Sequence, residues 1–203
     1  MDGVRAWLAG TDARIWQAVI AGLFLAMGWI VSGWQNRRAA TRAKAERLRD
    51  LHRAIFAEIE VNLANLWDAD ALTAYGAEMR ARMEADETFV PFIPRERHDR
   101  LFDTIVADLS VLPRVTIDPI VKYYAQIGSI AAIAEDMRGE GFRALPQARR
   151  IPMYEDYIQM RVQALEYGRV ANHLIRIFAA DGKAAAEAEA ARLSSPNADR
   201  SVP

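Results

Sequence analysis

No cysteine occurs among the 203 residues. Disulfides, thiol nucleophiles and cysteine-held zinc or iron–sulfur centres are therefore excluded. Histidine is scarce. His52, His98 and His173 lie far apart, and none has the HExxH spacing that places two imidazoles on one helix face around zinc. Phosphate-cradling loops are missing too. There is no GxGxxG, and Gly182-Lys183 matches only the end of a phosphate loop. Ile177 stands where that motif needs its first glycine, and Ala184 where it needs Ser or Thr. A GxSxG nucleophile turn is also absent. No alternating β-type segment and no internal repeat is found. No metal, cofactor or catalytic residue is assigned from these patterns.

What the chain does have is one long apolar run. Residues 15–34 read IWQAVIAGLFLAMGWIVSGW, with no charge and with Gln17 as the one strongly polar side chain. Twenty helical residues rise about 30 Å, the thickness of a bilayer's hydrocarbon core. Ile15, Val19, Ile20, Leu23, Phe24, Leu25, Ile30 and Val31 would favour insertion by on the order of 2 to 5 kcal/mol together. Trp16 and Trp34 sit near the ends, where indoles prefer an interface. The run is longer than a signal peptide's apolar region and ends in Gln35, Asn36, Arg37 and Arg38 rather than a small-residue cleavage site, so a signal anchor is expected.

A basic collar follows at 35–53. Arg37, Arg38, Arg42, Lys44, Arg47, Arg49 and Arg53 face only Glu46 and Asp50, whereas before the run Arg5 and Arg14 are balanced by Asp2 and Asp12. The excess predicts a cytoplasmic C-terminal side, an outside N-terminus of residues 1–14, and an inner-membrane location. The collar also suits anionic headgroups. Residues 54–203 carry 17 Lys and Arg against 23 Asp and Glu. An acidic body argues against nucleic acid as a partner.

Within the run, Ala18, Gly22 and Ala26 fall on one helical face, and Gly28 and Ser32 make a second small pair, a spacing that lets two helices approach closely. Self-association is the functional reading of this face.

Beyond the run the pattern is helical throughout. From 38 to 85 there is no proline, and Gly76 is the single glycine. Leu48, Leu51, Ile55, Ile59, Leu63 and Leu66 form a stripe continuous with the apolar run. Leu72, Tyr75, Met79 and Met83 predict a second helix starting near 67–70. ETFVPFIP at 87–94 breaks the pattern, and its Phe89, Val90, Phe92 and Ile93 should pin a loop to the core. A third helix is predicted over 95 to about 109, with Leu101, Phe102, Ile105 and Leu109 inward. A fourth should begin with Thr116 or Asp118 as cap and Pro119 in the first turn, burying Ile120, Val121, Tyr124, Ile127, Ala131 and Ala134 and ending before Gly139. Gly128-Ser129 reads as a close-packing point within it. A fifth is expected from Pro152 to about 180, its stripe being Tyr154, Ile158, Val162, Leu165, Leu174, Ile175 and Phe178. Residues 181–203 are low in complexity. KAAAEAEAARL suits a short solvated helix, and SSPNADRSVP suits disorder. The predicted class is all-α: one N-terminal transmembrane helix (15–34), then a cytosolic bundle of four to five helices (35–180) and a tail (181–203).

Asn62 and Asn65 lie near the first stripe beside Glu58 and Glu60, and a buried polar network is the simplest use of them. Tyr123, Tyr124, Tyr154, Tyr157 and Tyr167 read as core aromatics with outward hydroxyls. AEIEVNLANL (57–66) and IVKYYAQI (120–127), following a single apolar run and a basic collar, resemble small uncharacterised bacterial membrane proteins with helical cytosolic domains; the resemblance implies no activity. The leading expectation is a membrane-anchored helical protein-interaction module, with the bilayer, further copies of the chain and a cytosolic protein as partners. The alternatives are a membrane-acting effector that oligomerises through the apolar helix, and an enzyme using Glu58, Asn62 and a histidine.

Overall fold

The computed structural model describes residues 13–65, 68–95 and 100–195, without the side chains of 13–15, 18, 19, 65 and 100. Among the described residues there are six α-helices and no strand: α1 (Ala13–Asn65), α2 (Ala69–Ala85), α3 (Arg100–Ile105), α4 (Arg114–Arg138), α5 (Glu140–Ala144) and α6 (Gln147–Ser194). A 3₁₀ turn, Val106–Val111, joins α3 towards α4. The chain divides into two compact units, Met1–Arg47 and Leu48–Pro203. α1 contributes to both.

In the first unit, the apolar run does form helix. Yet among the described residues no helix is long and apolar enough to cross a membrane. The helix runs on through residues 15–34, but its apolar stretch is interrupted by small and polar residues. Gly22, Gly28, Ser32 and Gly33 dilute its hydropathy, and Gln35, Asn36, Arg37 and Arg38 follow at once. The transmembrane helix, the single-pass inner-membrane location and the outside N-terminus are corrected accordingly.

The second unit has two apolar clusters. In one, Leu51, Ile55 and Ile59 of α1 meet Ile120, Tyr123, Tyr124 and Ile127 of α4 and Ala164, Ala171 and Ile175 of α6. In the other, Met79 and Met83 of α2 meet Ala134 and Met137 of α4, Phe142 of α5, and Tyr154, Tyr157 and Ile158 of α6. Ile130 of α4 packs against both. Two glycines permit the closest approaches. A methyl at Gly76 would lie 2.9 Å from Ile158, and one at Gly168 would lie 3.0 Å from Leu63 and 3.1 Å from Tyr123. Gly128 has nothing within 4 Å, so the close-packing role expected there is not its own.

Helix ends follow local chemistry. Asp68 Oδ1 accepts from the Ala71 amide at 2.8 Å and caps α2. Asp86 accepts from both the amide and the hydroxyl of Thr88, turning the chain out of α2; these bonds, the hydroxyl's first, hold its carboxyl below the usual range. The 87–94 segment is then pinned by two arginines. Arg150, itself buried, donates to the Phe89 and Glu87 carbonyls, and Arg138 donates to Pro94 O at 2.8 Å. Ile93 is buried as expected, but Phe92 is 82% exposed.

Three other expectations shift. The third helix is only six residues long before it tightens into the 3₁₀ turn, and Leu101 is exposed. α4 starts at Arg114 behind Pro113, which places Pro119 beyond the first turn; the Thr116 hydroxyl bonds back to Pro113 O at 3.1 Å instead of capping, and Val121 faces out while Tyr123 is fully buried. α6 starts at Gln147 and reaches Ser194, broken at Gly182, whose φ of 84° lies in the left-handed region that glycine alone enters freely. The solvated helix expected there does form, but its Ala186 is fully buried.

Candidate functional site

The residues proposed for helix association lie in the first unit. Gly22, Ala26, Gly28 and Ser32 are exposed on α1, and nothing lies within 4 Å of a methyl built on either glycine; the Ala18 side chain is outside the described residues. The surrounding apolar side chains are exposed on every face of the helix: Leu23 60%, Phe24 68%, Leu25 74%, Trp29 88% and Ile30 71%. The collar, Arg37, Arg38, Arg42, Lys44, Arg47, Arg49 and Arg53, is exposed throughout. The Arg38 guanidinium lies 3.6 Å over the Trp34 ring, a cation–π contact at the junction of apolar run and collar.

The second unit contains a buried polar row that α1 inserts between its apolar neighbours. Glu58, 9% exposed, is its centre. Its Oε1 accepts from the Leu101 amide at 2.6 Å, and its Oε2 accepts from the Phe102 amide at 3.0 Å and the Tyr124 hydroxyl at 2.6 Å. The carboxylate therefore caps the start of α3 from another helix, where backbone amides lack partners of their own. Phe102 stacks on Tyr124 with ring centroids 3.8 Å apart, which holds the hydroxyl in place. With three donors aimed at its two oxygens, Glu58 is placed as an organiser of the α1–α3–α4 junction.

Asn62, one turn further on, faces the Tyr123 hydroxyl. Burial pushes that phenol up to about 12 and Asn62 pulls the other way, while no atom among the described residues meets hydrogen-bonding geometry with the Tyr123 hydroxyl. Asn172 of α6 donates to Glu60 Oε1 at 3.0 Å. Of the buried network expected around Glu58, Glu60 and Asn62, Glu58 and Asn62 are buried while Glu60 is exposed, and Tyr124 and Asn172 are the partners of Glu58 and Glu60. The hydroxyls of Tyr123 and Tyr124 point inward, contrary to the outward direction expected of them.

His52 belongs to a separate buried contact. Its Nε2 lies 2.9 Å from Thr116 Oγ1. Since that hydroxyl gives its proton to Pro113 O, its oxygen accepts and the imidazole donates from Nε2. Phe178 meets the ring edge-on at 5.1 Å. Desolvation lowers the His52 pKa from 6.5 to about 4, so the ring is neutral near pH 7. His98 lies outside the described residues. His173 pairs with Glu189 at 2.9 Å, and Glu189 also accepts two bonds from Arg192. Those bonds, the Arg192 one first, hold the Glu189 carboxyl down at about 2. The enzyme reading needed a histidine beside Glu58 and Asn62; the partners found for His52 and His173 are instead Thr116, Phe178 and Glu189. Among the described residues no three His, Asp or Glu side chains gather as metal ligands.

Sequence reasoning missed the His52–Thr116 and Glu58–Tyr124 pairs. Their members lie 64 and 66 residues apart, and only the packing of α1 on α4 brings them together. No protein-family model, curated protein or solved structure matches the chain.

Proposed function

We propose that this chain is a helical protein-interaction module that associates with further copies of itself through the apolar stretch of α1. The observation that carries the reading is the exposure of Leu23, Phe24, Leu25, Trp29 and Ile30 around the whole helix. A helix that is apolar on every side belongs inside a packed assembly, because exposed apolar surface of this extent is costly in water. One flat partner would cover one side only. Several identical helices cover all sides, and Gly22, Ala26, Gly28 and Ser32 allow their backbones to approach.

The test is sedimentation of the full-length chain at micromolar concentration, together with a Leu25→Lys, Trp29→Lys double variant. The wild type is expected to sediment as an oligomer and the variant to dissociate at least tenfold more readily, since each large side chain contributes about 2 kcal/mol when buried. A wild type that sediments as monomer would refute the proposal. So would a double variant that associates as strongly as the wild type.

A further inference from the structure

Past Gly182 the chain reverses and runs back along α6 as a helical strap, residues 183–194. The pairing of His173, before the reversal, with Glu189, after it, shows the antiparallel course. Little holds the strap. Ala186 is its fully buried residue, and Leu193, its single large apolar side chain, is 36% exposed. Nor does the strap fill the space beneath it. Two clefts of about 430 and 380 Å³ flank it, one reaching towards Val115 and Lys122 of α4, the other towards Glu60 and Leu63 of α1. Val170 and Leu193 wall both.

We propose that this groove is a docking site for an acidic amphipathic helix of a partner protein, and that the strap is the displaceable occupant that covers it in the free chain. The proposal rests on the reading of the chain as an interaction module. The strap itself defines what fits. A partner helix needs a small residue where Ala186 sits, a carboxylate where Glu189 meets His173, and apolar residues where Ala190 and Leu193 face the clefts. Arg169, His173 and Arg176 recur along one face of α6 and line the second cleft against one carboxylate, Glu60, so that wall favours an acidic occupant, whereas the first cleft balances Arg114 and Lys122 with Asp118 and Glu166. Val170 and Leu174 supply the apolar floor. With a side chain larger than alanine at the Ala190 position, such a helix would make the strap's contacts and also fill space that the strap leaves open. This is the helix-in-groove mode of recognition.

The probe is a labelled peptide of residues 183–195 carrying Ala190→Leu, titrated by fluorescence polarisation into the full-length chain and into its Ala186→Arg variant, which lifts the strap. The expected result is binding at least tenfold tighter to Ala186→Arg than to the wild type, and at least fivefold weaker when the peptide also carries Glu189→Gln. Equal affinity for the two chains, or binding no better than that of a scrambled peptide, overturns the proposal. Exchange of straps between two wild-type chains also overturns it, since the occupant would then be a second copy. Should Ala186→Arg lose its helical circular dichroism, Glu189→Lys with Leu193→Ser opens the strap from its other contacts and the same outcomes apply. The peptide measurement does not involve residues 20–34, so failure of self-association through α1 and failure of the groove are read separately.

Discussion

Acidification should begin to destabilise this protein before most of its carboxylates titrate, and His52 is the reason. The imidazole is 5% exposed, donates to Thr116 and lies against Phe178. Its pKa is about 4 in the folded state against the ordinary 6.5 of a histidine in the unfolded chain. Between these values the unfolded chain binds the proton and the folded chain does not. Stability from this group is therefore complete above pH 6.5 and is lost as pH falls through 4. At pH 5 the loss relative to pH 7 is about 2 kcal/mol, approaching about 3 kcal/mol below pH 4. With a urea slope of about 2 kcal/mol per molar, the midpoint should drop by about 1 M between pH 7 and pH 5. The control is His52→Phe, which keeps a ring against Phe178 and cannot charge. It should cost on the order of 1 kcal/mol at pH 7, from the bond to Thr116, and show a shallower pH dependence by about 1 M over the same interval. Identical pH profiles for wild type and His52→Phe would refute the reasoning.

Three substitutions test the packing and the polar row by urea or thermal unfolding. Glu58→Gln keeps the shape but sets an amide donor against the Leu101, Phe102 and Tyr124 donors; it should destabilise the fold by about 3 kcal/mol, and a double-mutant cycle with Tyr124→Phe should show coupling above about 1 kcal/mol. Gly168→Ala drives a methyl into Leu63, Tyr123 and Ile59 and should cost about 1 to 3 kcal/mol. Gly128→Ala, in open space within α4, should stabilise by about 0.5 to 1 kcal/mol. The reverse order of the two alanine variants would contradict the packing described for α4 and α6.

The all-helical class was legible because Leu51, Ile55 and Ile59, or Leu72, Met79 and Met83, repeat at helical spacing, and periodicity is a local property. The start of α2 near 67–70 and its counterpart, the end of α4 before Gly139, were readable for the same reason. Pro119 misled because it lies inside α4, five residues after Arg114, where its missing N–H forgoes a helix bond instead of marking the first turn. The apolar run read as a span from its composition, whereas among the described residues no helix is long and apolar enough to cross a membrane, Gly22, Gly28, Ser32 and Gly33 diluting the run. The polar row was half legible. Glu58 and Asn62 stood out as polar residues beside an apolar stripe, but Tyr124, Thr116 and the amides of α3 come from distant sequence. The direction of a tyrosine hydroxyl depends on which acceptor the fold brings within reach, and no spacing rule encodes that.

α4 and α6 each serve two apolar clusters at once, and Ile130 touches both. Neither cluster can come apart while leaving those two long helices intact over their full length. The helices that Met83 and Phe142 pack against are thus the same two that carry Tyr124 and Val170.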